Sequence, residues 1–291
     1  MSLTCPEPNN TLAIFDGDEI LYRCGFACQK KIYRIEGVGE FRYAKEYKQA
    51  LGDLGIDHKN VLVKVDVEIE PVENAYHNIN SFLGEHLNEL KAEKYIIYLS
   101  GLGNFRYYLA TIQPYKGNRS NNSKPPHYHE MIDYIMDEHN GVIVDGIEAD
   151  DAIGIHAYRH FKESEGLSYK LKTIVCSQDK DLKMIPGWNY NTNSRKLTWI
   201  SEKDAEVNFL VQVLSGDDSD NIPGIKGIGE ITARKILQGY KNRDDLYALV
   251  YHEYEEYYNG DCIKAEDHLH EVCKLLWILR KPGVTWDGSS I

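Results

Sequence analysis

Residues 141–163 read GVIVDGIEADDAIGIHAYRHFKE, and this stretch contains the two patterns that decide the fold. Its apolar start, GVIVDG, predicts a buried strand, and a helical pattern covers 150–163. The same strand pattern recurs in TLAIFDG (11–17), YIIYLSG (95–101) and KTIVCS (172–177). Because helical patterns separate these runs, we predict an α/β fold, a three-layer α/β/α core with a mainly parallel sheet.

Acidic residues gather where the apolar runs end and at one later turn. They are Asp16, Glu148, Asp150, Asp151, Asp179 and Asp181, with Asp217 and Asp220 in GDDSDN (216–221). Catalytic groups in a parallel sheet collect at the carboxyl ends of its strands. Clustered carboxylates need cations to neutralise them, and oxygen ligands suit magnesium or manganese better than zinc. Alternatively, the acids at 148–151 only complement the dipole of the helix that they open.

The composition is that of an ordinary globular protein. The chain has 291 residues, 42 % of them hydrophobic, and a formal net charge of −12 from 33 basic and 45 acidic residues. Nucleic-acid-binding surfaces are usually basic, so this charge argues against such a partner unless the acids are concentrated in a metal site. We expect no membrane span and no export signal. Six cysteines without a CxxC pair predict reduced thiols in a cytoplasm.

The last third of the chain changes to a helical character. SEKDAEVNFLVQVL (201–214) predicts a helix with Ser201 as its N-cap and Asp204 in a capping-box position, and ITARKILQGY (231–240) predicts another helix. We therefore predict an α/β core at 1–200, with an insertion of unknown purpose at about 31–92. A helical subdomain would follow at 201–291.

The turn GIKGIG (224–229) is a candidate phosphate-binding element. It joins two helices and does not follow a strand, which excludes a Rossmann or Walker interpretation. Exposed backbone amides in such a turn form an anion site suited to a phosphodiester. The residues of this prediction are Gly224, Gly227 and Gly229, with Lys226, Arg234 and Lys235 adding positive charge nearby. The alternative is a structural helix-turn-helix that binds no ligand.

YKGNR (115–119) places basic side chains near the acids. Lys116 and Arg119 beside a carboxylate cluster would hold a phosphate and stabilise charge that develops on it, although a solvated turn is the alternative. Arg23, about two helical turns after Asp16, would assist, or would form only a salt bridge.

Several motifs occur together in an order and spacing that resemble the 5′-nuclease superfamily. They are FDG (15–17), YKGNR (115–119), EADD (148–151), QDKDL (178–182) and GDDSDNIPGIKGIG (216–229). The superfamily includes bacteriophage 5′-nucleases, flap endonucleases and the 5′-exonuclease domain of bacterial DNA polymerase I. The resemblance implies a PIN-like core and a helix-three-turn-helix at about 203–240. It suggests a stand-alone, phage-encoded enzyme in a bacterial host cytoplasm.

The resemblance also implies roles for individual residues. Two Mg²⁺ or Mn²⁺ ions would be bound, the first by Asp16, Glu148, Asp150 and Asp151 and the second by Asp179, Asp181, Asp217 and Asp220. Asp151 would serve both ions. Lys116 and Arg23 would contact the cleaved phosphate, Tyr115 would stack on a nucleobase, and the segment 216–240 would grip duplex DNA and hold a potassium ion.

One position departs from the pattern of the superfamily. An aspartate usually follows the second strand, a few residues before Phe-Arg, whereas this chain has Ser100 in LSGLGNFR. One metal ligand is therefore missing, and a serine or a water would have to replace it.

The sequence predicts a 5′-3′ exonuclease or flap endonuclease that hydrolyses phosphodiester bonds by two-metal catalysis. Its partners would be DNA with 5′ ends, flaps or nicks, and RNA in RNA–DNA hybrids, in replication or repair. Two alternatives stay open: a PIN-like ribonuclease, which usually lacks the helix-three-turn-helix, and a catalytically weak protein that binds DNA structures.

Overall fold

The structure is a computed structural model that describes residues 11–119, 123–164, 172–238, 240 and 243–288. The described strands are β1 (Thr11–Asp16), β2 (Gln29–Ile35), β3 (Gly39–Phe41), β4 (Lys64–Ile69), β5 (Lys94–Ser100), β6 (Gly141–Val144), β7 (Lys172–Cys176), β8 (Gly187–Asn191), β9 (Lys196–Ile200), β10 (Gly216–Asp217) and β11 (Ile222–Pro223). The described helices are α1 (Gly17–Ala27), α2 (Ala44–Asp53), α3 (Val72–Leu90), α4 (Arg106–Leu109), α5 (Tyr128–Glu138), α6 (Ala149–Ser164), α7 (Glu202–Ser215), α8 (Glu230–Ile236), α9 (Arg243–Tyr257) and α10 (Cys262–Leu276). Short 3-10 turns lie at His58–Asn60, Gly117–Arg119 and Asp181–Met184.

The chain divides into two compact units. The main unit contains residues up to Asp18, His86–Asn122 and the chain from His139 onward. The inserted unit contains Glu19–Glu85 and Ser123–Glu138. The predicted boundary at residue 200 stays a prediction, since the main unit runs through that position without a break.

The main unit is built on a sheet with the strand order β6-β5-β1-β7-β8-β9. Every neighbouring pair is parallel except β8 and β9, which are antiparallel. Strand β1 lies in the middle, and Ala13, Ile14 and Phe15 are fully buried, as expected for a strand with both faces covered. The α/β fold with a mainly parallel sheet, predicted from the four apolar runs, is confirmed.

The hairpin β8–β9 extends this sheet, and its two strands were not predicted. GWNYN has few apolar residues and resembles a loop. Its turn is stabilised locally, because Asn191 Oδ1 accepts hydrogen bonds from the backbone N–H groups of Asn193 at 3.1 Å and Ser194 at 2.7 Å. Burial of Tyr190 and Ile200 in the finished fold stabilises the pair, and such tertiary contacts are not visible in a local pattern.

Two close approaches in the main unit require glycine. A Cβ on Gly17 would lie 2.5 Å from the carbonyl oxygen of Tyr98, on the neighbouring strand β5. A Cβ on Gly154 of α6 would lie 2.6 Å from the carbonyl oxygen of Leu279. The first glycine lets the chain turn from β1 into α1 beside β5, and the second lets the C-terminal segment pack directly on α6.

The C-terminal part of the main unit is helical, as predicted. Helix α7 begins at the predicted cap, because Ser201 Oγ accepts from the N–H of Asp204 at 3.0 Å in a capping box. Tyr254 is fully buried, and its hydroxyl donates to the carbonyl of Val213 at 2.7 Å. Helix α9 carries tyrosines at spacings of three to four residues, and Tyr254 is the member of this set that is fully buried in the core.

The inserted unit contains a small antiparallel sheet with the order β3-β2-β4. Its strand β4 lies within VLVKVDVEIE (61–70), a run in which apolar and polar residues largely alternate. Arg34 of β2 forms ion pairs with Glu40 and Asp66 across the sheet. Helices α3 and α5 meet through the stacked rings of Tyr76 and Tyr134, whose centroids are 4.2 Å apart. In the described residues of both units, we find no helix with the length and apolarity that a membrane span requires.

Candidate metal centre

Three of the predicted acids lie at the carboxyl ends of β1 and β6. Asp16 is the last residue of β1 and accepts a hydrogen bond from Ser177 Oγ at 3.1 Å. Glu148 and Asp150 follow β6, where α6 begins. Because parallel strands place their ends along one edge of the sheet, residues 132 and 134 positions apart in sequence become neighbours. We call Asp16, Glu148 and Asp150 the first acidic group.

The members of the first acidic group repel one another. Burial raises the pKa of Asp150 well above its ordinary value, and the negative charges of Asp16, Asp179 and Glu148 raise this pKa further. A carboxylate that is buried among other carboxylates is unstable in its ionised form unless a cation approaches.

Asp151 is buried and paired with Arg106. It is 0 % exposed, and Arg106 binds both of its oxygens, at 2.6 and 2.8 Å. The backbone N–H of Leu279 also donates to Oδ1, at 3.0 Å. The structure therefore uses this carboxylate to fix the start of α6 to the C-terminal segment, and its service to two metal ions stays a prediction.

Arg106, at the start of α4, was not among the residues predicted from the sequence. It is 3 % exposed, and it also donates to the carbonyls of Leu275 at 2.8 Å and Trp277 at 2.7 Å. Burial alone would lower the pKa of Arg106, but hydrogen bonds and charge from Asp151 raise it. The partners of Arg106 lie 45 to 171 residues away in sequence, so no local pattern reveals its role. Its position directly after Phe105 is the one feature of the sequence that could have pointed to it.

The second acidic group consists of Asp179, Asp181, Asp217 and Asp220. Asp179 and Asp181 follow β7, and the N–H of Asp181 donates to Asp179 Oδ1 at 2.8 Å. Asp217 is in β10 and accepts from the N–H and the hydroxyl of Ser219, at 2.8 and 2.6 Å. Asp220 lies in the turn between β10 and β11.

The carboxyl groups of this second group differ in their pKa values. Burial raises the pKa of Asp179, as does repulsion from Asp217 and Asp220. Burial and the neighbouring charges of Asp179 and Asp217 raise the pKa of Asp181 to about 7. Burial would also raise the pKa of Asp217, but the hydrogen bonds from Ser219 hold it below its ordinary value. Two of these groups therefore ionise reluctantly in the metal-free protein.

Tyr115 and Lys116 connect the two acidic groups. The Tyr115 hydroxyl contacts Glu148 at 2.8 Å and Asp220 at 2.7 Å, and Lys116 Nζ forms ion pairs with the same two carboxylates. Lys116 has a positive φ of 55°, and its N–H donates to the carbonyl of Asp220 at 2.8 Å. Lys116 therefore lies between the two groups, and its predicted contact with the cleaved phosphate stays a prediction. Tyr115 is only 4 % exposed, so in this structure its ring offers no face to a nucleobase.

The two predicted arginines each form an ion pair with an acidic residue of their own unit. Arg119 forms an ion pair with Asp220, and its Nε donates to the carbonyl of Ser219 at 3.0 Å. Arg23 lies in the inserted unit, where it pairs with Glu19 at 3.0 Å and covers the ring of Phe82. The predicted contact of Arg23 with a phosphate stays a prediction.

The three glycines of the GIKGIG turn have different surroundings. A Cβ on Gly224 would collide with the backbone of Gly216, so this glycine serves the close pairing of β10 with β11. Gly227 has a φ of +94°, which disfavours any other residue, and Gly229 caps α8 with open space around it. Gly227, Gly229 and Lys226 are exposed.

The basic side chains of α8 are also exposed. They are Arg234 and Lys235. Arg234 forms an ion pair with Glu230 at 2.9 Å and donates a hydrogen bond to Asn208 Oδ1 at 3.2 Å. The turn and α8 thus present an exposed surface, and its contact with DNA stays a prediction.

The oxygen donors of the two acidic groups fit divalent metal ions, but the carboxylates do not yet surround a common point at which an ion would be bound. Within the described ranges, no three Asp, Glu, His or Cys side chains converge closely enough to hold an ion as they stand. Lys116 and Arg119 instead neutralise Glu148 and Asp220. The remaining carboxylates are hard oxygen donors, and those of Asp150, Asp179 and Asp181 have raised pKa values, the chemistry that Mg²⁺ or Mn²⁺ would satisfy.

Residues 206–281 match the family model described as the C-terminal SAM fold of 5′-3′ exonucleases. The chain is 30 % identical over 185 residues to DNA polymerase I of Geobacillus stearothermophilus, which covers 56 % of the chain and 20 % of the relative. It is also 30 % identical over 183 residues to the 5′-3′ exonuclease of Buchnera aphidicola subsp. Schizaphis graminum, covering 58 % of the chain and 60 % of the relative. The resemblance to the 5′-nuclease superfamily is thereby confirmed. The chain spans 60 % or less of either relative's length.

Solved structures of 5′-nucleases share the fold. A complex of the bacteriophage T5 flap endonuclease with DNA and metal ions aligns with a TM-score of 0.55 over 90 % of this chain and 88 % of that one, at 15 % identity. The T5 5′-exonuclease with bound zinc aligns with a TM-score of 0.50 over 92 % of this chain and 99 % of that one, at 15 % identity. At this identity the likeness concerns the fold.

Proposed function

We propose that this protein is a metal-dependent 5′-3′ exonuclease or flap endonuclease, which hydrolyses phosphodiester bonds at 5′ ends or 5′ branches of DNA. The observation that carries the proposal is the pair of acidic groups at the carboxyl edge of the sheet, with Lys116 between them. The family match over 206–281 supports a DNA substrate. RNA in RNA–DNA hybrids offers the same phosphodiester chemistry.

The two acidic groups would each hold one Mg²⁺ or Mn²⁺ ion. Asp16, Glu148 and Asp150 would hold the first and Asp179, Asp181, Asp217 and Asp220 the second. Bound divalent ions supply an activated water and stabilise the charge that develops on the phosphate. Asp151, which we predicted as a ligand, would support this site by fixing the start of α6 through Arg106.

The side chains that connect the groups have distinct tasks in this proposal. Lys116 would move from its carboxylates to a substrate phosphate, where its fixed charge stabilises the reacting group. The raised pKa of Lys116, which Glu148 and Asp220 maintain against the effect of burial, keeps it protonated for this task. Tyr115 would hold Glu148 and Asp220 at a constant separation through its hydroxyl. Arg119 and Arg23 would contact neighbouring phosphates.

The C-terminal subdomain would bind the duplex next to the cleaved strand. The exposed backbone at Gly227 and Gly229 and the side chains of Lys226 and Lys235 would contact phosphates. A potassium ion at 216–240 belongs to the same prediction. The free thiols among the described cysteines support action in a reducing compartment such as a bacterial cytoplasm.

The test is cleavage of a DNA 5′ flap and a 5′-recessed duplex, each labelled at either end. Mg²⁺ or Mn²⁺ would be supplied, with EDTA as the metal-free control. We expect metal-dependent release from the 5′ side that Asp150→Asn abolishes. The matched control is Asp145→Asn, since Asp145 also follows β6 but is exposed and accepts from the N–H of Leu102.

Two outcomes would contradict the proposal. Binding of branched DNA without cleavage in either metal would favour a DNA-structure-binding protein. Cleavage of single-stranded RNA in preference to both DNA substrates would favour a PIN-like ribonuclease.

A further inference from the structure

Asp18 lies next to the first acidic group, and it was not among the predicted ligands. It is the second residue of α1, directly after the turn at Gly17. Its Oδ1 accepts a hydrogen bond from the backbone N–H of Ser100 at 3.2 Å. Because β1 and β5 are parallel neighbours, Asp16, Asp18 and Ser100 meet at one edge of the sheet.

Ser100 connects Asp18 to the first acidic group. The Ser100 hydroxyl accepts from the N–H of Ala149 at 2.9 Å, and Ala149 stands between Glu148 and Asp150 in the chain. One small residue therefore separates the Asp18 carboxylate from the segment that holds two of the predicted metal ligands.

The charges around Asp18 are unfavourable in the metal-free protein. Glu148 places a negative charge near the Asp18 carboxylate, and Lys116 places a positive charge there. Asp18 in turn adds to the repulsion on Asp150. An asparagine at position 18 could accept the same hydrogen bond from the Ser100 N–H without adding a negative charge. The hydrogen bond alone therefore does not account for an acid at this position.

We propose that Asp18 supplies a metal-binding carboxylate to the first acidic group, at the place where the chain has Ser100 and not an acid. The inference deepens the proposed function and rests on it. The resemblance places an aspartate at position 100, so the carboxylate has moved from the end of β5 to the start of α1. Ser100 keeps the hydrogen bonds that position it.

The experiment measures binding of Mn²⁺ without DNA, by titration calorimetry and by the electron paramagnetic resonance of free Mn²⁺. Asp18→Asn keeps the shape and the oxygen that accepts from Ser100, but removes the charge. We expect it to weaken binding of the more affected ion by about tenfold or more, the size of effect typical of changes at metal sites. Asp145→Asn, the exposed strand-end control, should bind as the unchanged protein does.

The double variant Asp18→Asn/Ser100→Asp moves the carboxylate back to β5. We expect it to recover most of the lost affinity, which a purely structural role of Asp18 would not explain. Thermal unfolding in EDTA provides the second readout. Asp18→Asn should be as stable as the unchanged protein, or more stable, because it removes a repelled charge.

The inference is overturned if Asp18→Asn binds Mn²⁺ as tightly as the unchanged protein. It is also overturned if the variant unfolds at a lower temperature in EDTA and binds normally once folded. These results are separable from a failure of the proposed function. Asp18-dependent metal binding without cleavage of any DNA substrate would contradict the nuclease but keep the metal site. DNA cleavage by Asp18→Asn with an unchanged dependence on metal concentration would keep the nuclease and contradict the role of Asp18 in metal binding.

Discussion

At the scale of single residues, Asp150 and Asp151 are adjacent in sequence but have different surroundings. We expect Asp151→Asn to lower the free energy of unfolding by about 3 kcal/mol or more in EDTA, because it leaves the buried guanidinium of Arg106 without its carboxylate. Asp150→Asn removes a repelled charge and should not lower it. Urea unfolding of the two variants measures the difference. Equal destabilisation by both changes would contradict the structural role of Asp151.

Asp181 makes the stability of the metal-free protein depend on pH. Its folded pKa is raised to about 7, so the folded state binds its proton more tightly than the unfolded state does. The stability that this proton provides is complete below the ordinary pKa of an aspartate and is lost as the pH rises through about 7. One unit of pKa corresponds to about 1.4 kcal/mol.

We therefore compare the free energies of unfolding of Asp181→Asn and the unchanged protein in EDTA. As the pH rises from 5 to 8, the variant should become more stable relative to the unchanged protein by at least about 1.4 kcal/mol. Taking the difference in the free energy of unfolding between the two proteins cancels the effect of other groups that titrate. One such group is His156, because burial lowers the pKa of its imidazole to about 4. Saturating Mg²⁺ should abolish the gain. A difference that does not vary with pH would show that Asp181 ionises normally in the folded protein.

The sequence could predict the acids at strand ends but not how each one is used. Asp16 and Asp150 follow from the rule that parallel strands end at one edge, which needs only the strand pattern. The pairing of Asp151 with Arg106, the burial of Tyr115 and the approach of Asp18 to Ser100 depend on packing between distant segments. No local pattern contains that information.

At the scale of elements, two glycines of the turn before α8 differ in how closely the neighbouring backbone approaches them. We expect Gly224→Ala to lower the free energy of unfolding by about 1 to 3 kcal/mol, since its Cβ would collide with Gly216. Gly229→Ala, with open space at the same turn, should change stability by less than about 1 kcal/mol and is the matched control. Thermal unfolding measures both. Similar losses in the two variants would contradict the close pairing of β10 with β11.

The elements that the sequence predicted well are those whose stability is local or whose burial is two-sided. Helix α7 begins at Ser201 because a capping box is written in neighbouring residues. Strand β1 is apolar on both faces because both are covered. The hairpin β8–β9 was missed because its polar residues become a strand only when β7 provides an edge to pair with.

At the scale of the whole molecule, a net charge of −12 opposes approach to DNA. Seven of the 45 acidic residues lie in the two acidic groups, where bound divalent ions would reduce the negative charge. Binding to DNA should therefore be weak in EDTA and stronger with Ca²⁺, a divalent ion that occupies oxygen sites. In the proposed function, the contribution of the C-terminal turn to DNA binding would come from a few exposed cations, so the effect of removing each one should be measurable.

Neutralising Lys226 tests that contribution. If Lys226 contacts one phosphate, Lys226→Gln should reduce the slope of the logarithm of affinity against the logarithm of salt by about 0.9, equally for flap and recessed DNA. The matched control is Lys94→Gln, which removes one positive charge from an exposed residue at the amino end of β5, the end away from the acidic groups. This change should lower only the long-range attraction between the protein and DNA. Fluorescence anisotropy in Ca²⁺ over a range of salt concentrations measures both slopes. Identical slopes for the two variants would mean that the turn does not touch the DNA backbone, and that net charge alone governs the association.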